Sequence, residues 1–394
     1  MPFSRSRIAR EALGDYQQGH GPVLGIAMKI GYEAKRIFHN RSGLGNYGRN
    51  LLTGLARYYP ENHYWLYNPY PAKIPFSAGP MVREQRPKYA LKIYGQWWRQ
   101  YALAKRASSD QIDLFHGLSQ ELPHQLDRYQ IPSVVTVHDL IFERFPQLYR
   151  PIDRKIYRQK LGRACQMASR IVAVSQQTSN DLTEKLHIAP QQILVVPQSC
   201  DPVFWQDLRE EVPLLRKRHN LPERFLLFVG TLEPRKQPVE LAKRCLAERI
   251  PLVLVGKAGS YWRDFWEKLS LKEQQWLRPL HVESVRDLAA LYQASAGFVY
   301  PSRFEGFGIP LLEAQASKVP LITFENSALK EVAGPGTWLV KNEDWPGLSQ
   351  ALRALWENPE EAMQRAIENH RFARQSFTAE SLSARWNEIY QSLL

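Results

Sequence analysis

The segment Ser302-Arg303-Phe304-Glu305-Gly306-Phe307-Gly308-Ile309-Pro310-Leu311-Leu312-Glu313 sets two carboxylates on either side of a pair of glycines. Pro310 suits the first turn of a helix, so Glu305 falls in a loop and Glu313 in the first helical turns. The glycines let a ligand approach backbone N–H groups at the positive end of that helix. A carboxylate in the helix can accept both hydroxyls of a ribose, while the loop carboxylate reaches a sugar. Glutamates placed at a helix start for the dipole alone would explain neither the glycines nor the strand that precedes them.

Three other segments carry weaker chemistry. In Gly230-Thr231-Leu232-Glu233-Pro234-Arg235-Lys236, two cations follow a strand-ending glycine, where they can neutralise a diphosphate. A turn with surface charges reads equally well. Val137-His138-Asp139 closes another apolar run, and a neutral imidazole at a strand end can orient a sugar hydroxyl or exchange protons. His116-Gly117 has the same placement, and a lone His is more often structural. Gly43-Leu44-Gly45-Asn46-Tyr47-Gly48 spells GxGxxG, but Tyr32 to Ser42 separate it from the first strand. The second strand ends in Tyr67-Asn68, without the acid that would hold an adenosine ribose. Nicotinamide and flavin binding are therefore disfavoured. Glycines before a helix still give an N–H surface for a phosphate or sugar, with a tight turn as the alternative.

The elements that must position these residues are short apolar runs alternating with longer amphipathic stretches. In the first half the strands are expected at 25–31, 63–67, 113–116, 133–138, 170–174 and 193–196. In the second they are expected at 225–230, 251–255, 280–282, 297–300, 320–323 and 338–340. Runs such as SVVTV, FLLFVG and PLVLVG suit strands buried on both faces of a parallel sheet. The pattern predicts an α/β protein of two tandem Rossmann-like domains facing a central cleft. The expected division is a flexible tail over 1–27, an acceptor domain over 28–200, a nucleotide-sugar domain over 201–378 and a crossover helix over 379–394. That last helix, with Leu382, Trp386, Ile389, Tyr390 and Leu393 on one face, is expected to return to the first domain. Met28 opens the first strand as a natural start would.

At these residues the chain resembles the retaining glycosyltransferases of the GT-B fold, family 4, mannosyltransferases among them. The likeness runs from about Met28 to the C-terminus and rests on SGLGNYGRNL, VTVHDL, VGTLEPRK and YPSRFEGFGIPLLEA, the last being the E-x7-E signature. It implies that Gly43 and Gly45 line the cleft near a donor diphosphate and that His138 contacts the transferred sugar. Arg235 and Lys236 would bind the diphosphate, Glu305 the sugar hydroxyls and Glu313 the ribose, with the backbone at Phe307 and Gly308 close to the sugar. The resemblance further implies a nucleotide-sugar donor (GDP-mannose first, UDP-hexoses next), no cofactor or metal, and retention without an obligatory protein nucleophile. Cations and a helix N-terminus can stabilise a leaving diphosphate electrostatically. Two departures stand out: Ala316-Ser317-Lys318-Val319-Pro320 lacks the usual glycine, and Gln198-Ser199-Cys200-Asp201 replaces the common hinge wording.

Composition narrows the classes further. Of 394 residues, 44% are hydrophobic, which excludes global disorder, and the three cysteines have no paired spacing. No apolar run reaches the length of a membrane span. The net charge of +13 is uneven: residues 1–110 hold 17 basic and 6 acidic side chains, the remainder 35 and 33. Charge confined to one end argues against nucleic acid as a partner. Its densest part, Arg83 to Arg106, interleaves cations with Tyr89, Ile93, Trp97, Trp98 and Tyr101. Read as one helix, it would contact an anionic membrane or pack its aromatics inward. The expectation is a cytoplasmic enzyme, peripheral at the inner membrane face, that moves a hexose to a surface-glycan or lipid-linked acceptor. A sugar-nucleotide epimerase, a phosphorylase and a non-catalytic basic adaptor are the alternatives.

Overall fold

The computed structural model describes residues 27–89 and 92–394. The tail expected over 1–27 lies, but for its last residue, outside the described residues, as does the 25–26 start of the first expected strand. Two wholly parallel sheets organise the rest. The first holds β1 (Lys29–Glu33), β2 (His63–Tyr67), β3 (Val82–Gln85), β4 (Leu114–Gly117), β5 (Ser133–Val137), β6 (Arg170–Ala173) and β7 (Ile193–Val195), in the order 3-2-1-4-5-6-7. The second holds β8 (Leu226–Val229), β9 (Leu252–Val255), β10 (Leu277–Leu280), β11 (Gly297–Tyr300), β12 (Leu321–Glu325) and β13 (Trp338–Lys341), in the order 10-9-8-11-12-13. This is the α/β architecture of two Rossmann-like domains. β5, β9 and β11 are buried at every residue, as helices on both faces of a parallel sheet require.

β1 begins at Lys29 and runs on to Glu33, later than the expected 25–31, and the two larger differences lie at sheet edges. β3, the polar VREQ, was not anticipated; β10 falls at Leu277–Leu280, not 280–282, because Arg278 and Pro279 break its apolar run. The helices around these sheets include α1 (Lys35–His39), α2 (Gly43–Tyr58), α3 (Lys92–Trp97), α4 (Leu103–Ser109), α5 (Pro151–Met167), α6 (Gln176–Leu186), α7 (Ile309–Ala316), α8 (Leu329–Val332) and α9 (Ala379–Gln391).

The basic segment is not one helix. It comprises β3, a connection, α3, a π-helical turn over Trp98–Ala102 and α4. Trp98 and Leu103 pack inward, whereas Tyr89, Trp97 and Tyr101 are exposed and Ile93 is 86% exposed. Arg99 does not contribute surface charge: it is buried on Glu33 at 3.4 Å and Glu121 at 2.9 Å.

The first domain has a core on each face of its sheet, and one of them is completed by α9. Trp386 and Tyr390 of α9 lie fully inside it, alongside Tyr32, Tyr64 and α2. The Tyr390 hydroxyl meets His116 Nδ1 at 2.8 Å, and His116 Nε2 lies 2.8 Å from Thr136 Oγ1. His116 is thus a buried structural group, with its pKa pushed down to about 3 by desolvation and then by His138, and it does not face the cleft.

Candidate active site

In each sheet the strand order reverses between a central pair, β1/β4 and β8/β11, and a crevice forms beyond their carboxyl ends. The loops carrying Arg235 and Lys236 follow β8. Those carrying Glu305 follow β11 and lead into α7 with its Pro310 in the first turn. Four of the side chains singled out in the sequence therefore flank one switch point.

Glu305 is held from three directions. Its Oε1 accepts from the Tyr300 hydroxyl at 2.8 Å and the Ser302 hydroxyl at 2.9 Å, and pairs with Arg235 Nη1 at 2.9 Å. Burial alone would raise its pKa, but the Arg235 and Lys236 charges outweigh it and hold the carboxyl below its ordinary value. Glu313, 8% exposed on α7, has the opposite balance. Its Oε2 accepts from the Tyr292 hydroxyl at 3.0 Å, yet burial pushes its pKa up to about 8. Lys236 acts on both carboxylates and opposes that rise. One carboxylate is ionised and the other near its titration point, with a lysine between them in electrostatic terms.

The two cations differ in what they can offer. Arg235 is buried; besides Glu305 it engages the Phe304 carbonyl, and its Nη2 lies 2.7 Å from Glu233. Lys236 is half-buried, 5.8 Å from the centre of the Tyr300 ring, and makes no ion pair among the described residues. It is the cation with capacity left for an incoming anion, while Arg235 is consumed in shaping the Glu305 loop.

His138, after β5, is buried and neutral, its pKa pushed down to about 4 by desolvation. Nε2 lies 2.8 Å from the Leu118 carbonyl, so it carries the proton and donates. Nδ1 is then the acceptor, facing Gln198 Nε2 at 3.4 Å, a long contact for a hydrogen bond. Tyr47 of α2 meets the ring edge-on at 4.7 Å.

The glycines divide by role. Gly43 is exposed at the start of α2, with nothing near the position a Cβ would take. Gly45 is buried, and a Cβ there would lie 1.8 Å from the Asn40 carbonyl oxygen. It is a packing glycine between α1 and α2, with no cleft surface of its own. Gly308 caps α7 at φ +105°, and the Phe307 side chain points into the second domain's core against Phe377, leaving its backbone on the loop. Among the described residues no group of three or more His, Cys, Asp or Glu side chains is placed to hold a metal ion.

Residues 41–204 match the family described as Glycosyltransferase Family 4, and residues 213–372 match Glycosyl transferases group 1. The O-antigen chain mannosyltransferase B of Escherichia coli is 30% identical over 293 residues, covering 66% of this chain and 74% of that protein. The chain is a family 4 glycosyltransferase. The D-rhamnosyltransferase WbpZ of Pseudomonas aeruginosa is 29% identical to this glycosyltransferase over 331 residues, 79% of this chain and 81% of that one. HepE from Anabaena, solved in complex with UDP, superposes with a TM-score of 0.71 at 16% identity, over 93% of this chain and all of the other. Sucrose-phosphate synthase from Thermosynechococcus elongatus gives 0.75 at 18% identity, over 93% and 99%. The two solved structures establish the GT-B fold.

Several residues of the glycosyltransferase's cleft had no signal of their own in the sequence. Tyr292 and Tyr300, which hold the two glutamates, look like any buried aromatic in a helix or strand. Gln198, noted only as a departure at the hinge, turns out to face His138. Across the cleft, Ser175, Thr178 and Glu331 bind backbone atoms of the opposite domain. The signal for Ser175 was present as an N-cap residue before α6; its partner in the other domain was not.

Proposed function

We propose that this glycosyltransferase moves a hexose, mannose in the first instance, from a GDP- or UDP-linked donor to a growing surface glycan or a lipid-linked acceptor. The observation that carries the reading is Lys236, half-buried beside the Tyr300 ring, in no ion pair among the described residues, with a charge that acts on both the Glu305 and the Glu313 carboxyls. That arrangement suits a ligand with a diphosphate in the middle, a hexose at one end and a ribose at the other. Glu313 would take the ribose hydroxyls, Glu305 the sugar hydroxyls, and the backbone at Phe307 and Gly308 would lie beside the sugar. His138 Nδ1 would accept from a sugar hydroxyl in place of its weak contact with Gln198. From the first domain the open helix start at Gly43 would approach the diphosphate, with Gly45 setting where that helix begins.

In the reaction the acceptor hydroxyl oxygen bonds to the anomeric carbon as the bond to the diphosphate oxygen breaks. The acceptor proton passes to the departing diphosphate, whose charge Lys236 and the start of α7 stabilise. Retention without a protein nucleophile follows the family resemblance. The relative named as an O-antigen chain mannosyltransferase supports a surface-glycan acceptor.

The same reading places the enzyme in the cytoplasm, peripheral at the inner face of the membrane. Among the described residues no helix is long and apolar enough to cross a bilayer. Exposed Ile93, Trp97 and Tyr101 share the 83–105 segment with exposed Arg83, Arg86, Lys88 and Lys105, the mixture that suits an anionic interface. A thermal-shift panel of UDP, GDP and ADP tests the nucleotide, since a ligand of the native state raises Tm. Radiolabelled GDP-mannose and UDP-hexoses then test transfer and donor hydrolysis. A protein stabilised by none of the nucleotides, and hydrolysing none of the donors, would overturn the reading.

A further inference from the structure

A contact between the two domains runs beside Glu305 and His138. α6 of the first domain begins at the cleft, and its first two amides point across it. Gln176 N–H donates to Glu331 Oε2 and Gln177 N–H to Glu331 Oε1, each at 2.8 Å. Glu331 lies on α8 of the second domain, so one carboxylate caps a helix that belongs to the other domain. The N-cap residue of the same helix, Ser175, accepts from Thr178 N–H at 3.0 Å and donates to the Gly306 carbonyl at 2.6 Å. Thr178 Oγ1 lies 3.2 Å from both the Gly306 and the His138 carbonyls. Gly306 meets the backbone of His138 so closely that a Cβ there would lie 1.9 Å from the His138 carbonyl oxygen.

The second domain ties its own end of this contact to Glu305. Ser327 Oγ, just before α8, accepts from Glu305 N–H at 3.0 Å, and Asn326 Nδ2 donates to the Ser302 carbonyl at 2.9 Å. Residues 326–331 therefore hold the Glu305 loop with one end and the first domain's helix with the other. A carboxylate accepting two amides at a helix start is also the charge arrangement that the helix dipole favours.

We propose that Glu331, together with Ser175 and Thr178, is a positioning clasp that sets the Glu305 loop against His138 when the cleft is shut. The clasp rests on the proposed function only for what Glu305 and His138 do; its geometry stands apart from it. Glu331 positions reacting groups and touches no substrate. Its loss leaves Lys236 and Glu313 in place within the second domain, so nucleotide affinity should hold while turnover falls. Misplacing a reacting group by an ångström costs on the order of 10²-fold in rate. Glu331→Ala should lower kcat by at least about tenfold, and Glu331→Gln, which keeps one acceptor oxygen, should fall between it and wild type. Ser175→Ala should act in the same direction through the Gly306 carbonyl.

The experiment has two readouts. The first is kcat with radiolabelled GDP-mannose or UDP-glucose, set beside the Kd for GDP and UDP, in wild type and the three variants. The second is the radius of gyration by small-angle X-ray scattering, expected to grow in Glu331→Ala and Ser175→Ala as the domains part. Unchanged kcat, or a fall in kcat matched by an equal weakening of nucleotide binding, would overturn the clasp. So would scattering profiles identical to wild type. Should Glu331→Ala fail to fold, Glu331→Gln and Ser175→Ala carry both readouts. A wild type that binds no nucleotide overturns the proposed function instead, and scattering alone then decides the clasp.

Discussion

Nucleotide affinity should rise with pH, and Glu313 should be the reason. Burial holds its pKa at about 8 although the Tyr292 hydroxyl donates to it and Lys236 opposes the rise. At neutral pH most molecules therefore carry a proton on this carboxyl. Ribose hydroxyls donate to a carboxylate, so binding in the proposed mode requires that proton to leave. The ionised fraction is about one tenth at pH 7 and about nine tenths at pH 9, so the Kd for GDP or UDP should fall about ninefold, or about 1.3 kcal/mol. The window lies above the second ionisation of a phosphate, near about 6, which keeps that group's charge constant. Glu313→Gln cannot ionise and should show a weaker Kd without this slope; it also subtracts titration of the base. Isothermal calorimetry of GDP and UDP at intervals between pH 7 and 9 would supply both curves. Parallel curves for the two proteins, or an affinity that falls with pH in wild type, would refute the assignment of Glu313 to the ribose.

The same carboxyl predicts a stability effect. Its folded pKa is raised, so the stabilisation it gives when protonated is present in acid and lost as pH climbs from about 4.5 through about 8. Glu313→Gln should gain in Tm relative to wild type between pH 6 and pH 9; a constant difference would contradict the shift. Lys236→Ala and Arg235→Ala should separate catalysis from stability. The first should lower turnover roughly 10²–10³-fold with little change in Tm. The second leaves buried Glu305 without its partner and should cost about 3–5 kcal/mol of stability, so equal Tm values in the two variants would count against this division. Liposome co-sedimentation should show binding that needs anionic lipid, weakens with salt and falls when Trp97 and Tyr101 are both replaced by Ala. Indifference to anionic vesicles at low salt would leave the exposed aromatic face unexplained and the acceptor free of any need for a lipid anchor.

What could be read from the sequence depended on burial. The strands at the sheet centres declare themselves because both faces are covered, so FLLFV and PLVLV are apolar throughout. The edge strands β3 and β10 need only one neighbour and tolerate Arg, Glu and Pro, which hides them. Glu305, Lys236 and Glu313 stand out because charged residues beside glycines at strand ends have few structural excuses. His116 and His138 gave the same signal, and only the arrival of α9 over His116 tells them apart. Gly45 was legible as a required glycine but not as one required by Asn40. Glu331 lies some 155 positions from its partner amides, a separation at which pattern carries no information.

Because α9 completes the first domain, the order of synthesis is not the order of assembly. Ser383 of α9 sits so close to Gly54 of α2 that a Cβ there would come within 2.6 Å of its hydroxyl. At about 5–20 residues per second, the stretch between residue 200 and residue 380 occupies a ribosome for roughly 10–40 s. Throughout that interval β1 and α2 have been made, but the cover of Trp386 and Tyr390 over Tyr32 and His116 has not. A nascent chain thus exposes apolar surface on its first domain until α9 emerges. A chain that stopped short of α9 would hold every residue proposed to touch the nucleotide and still leave Tyr32 and His116 uncovered in the first domain.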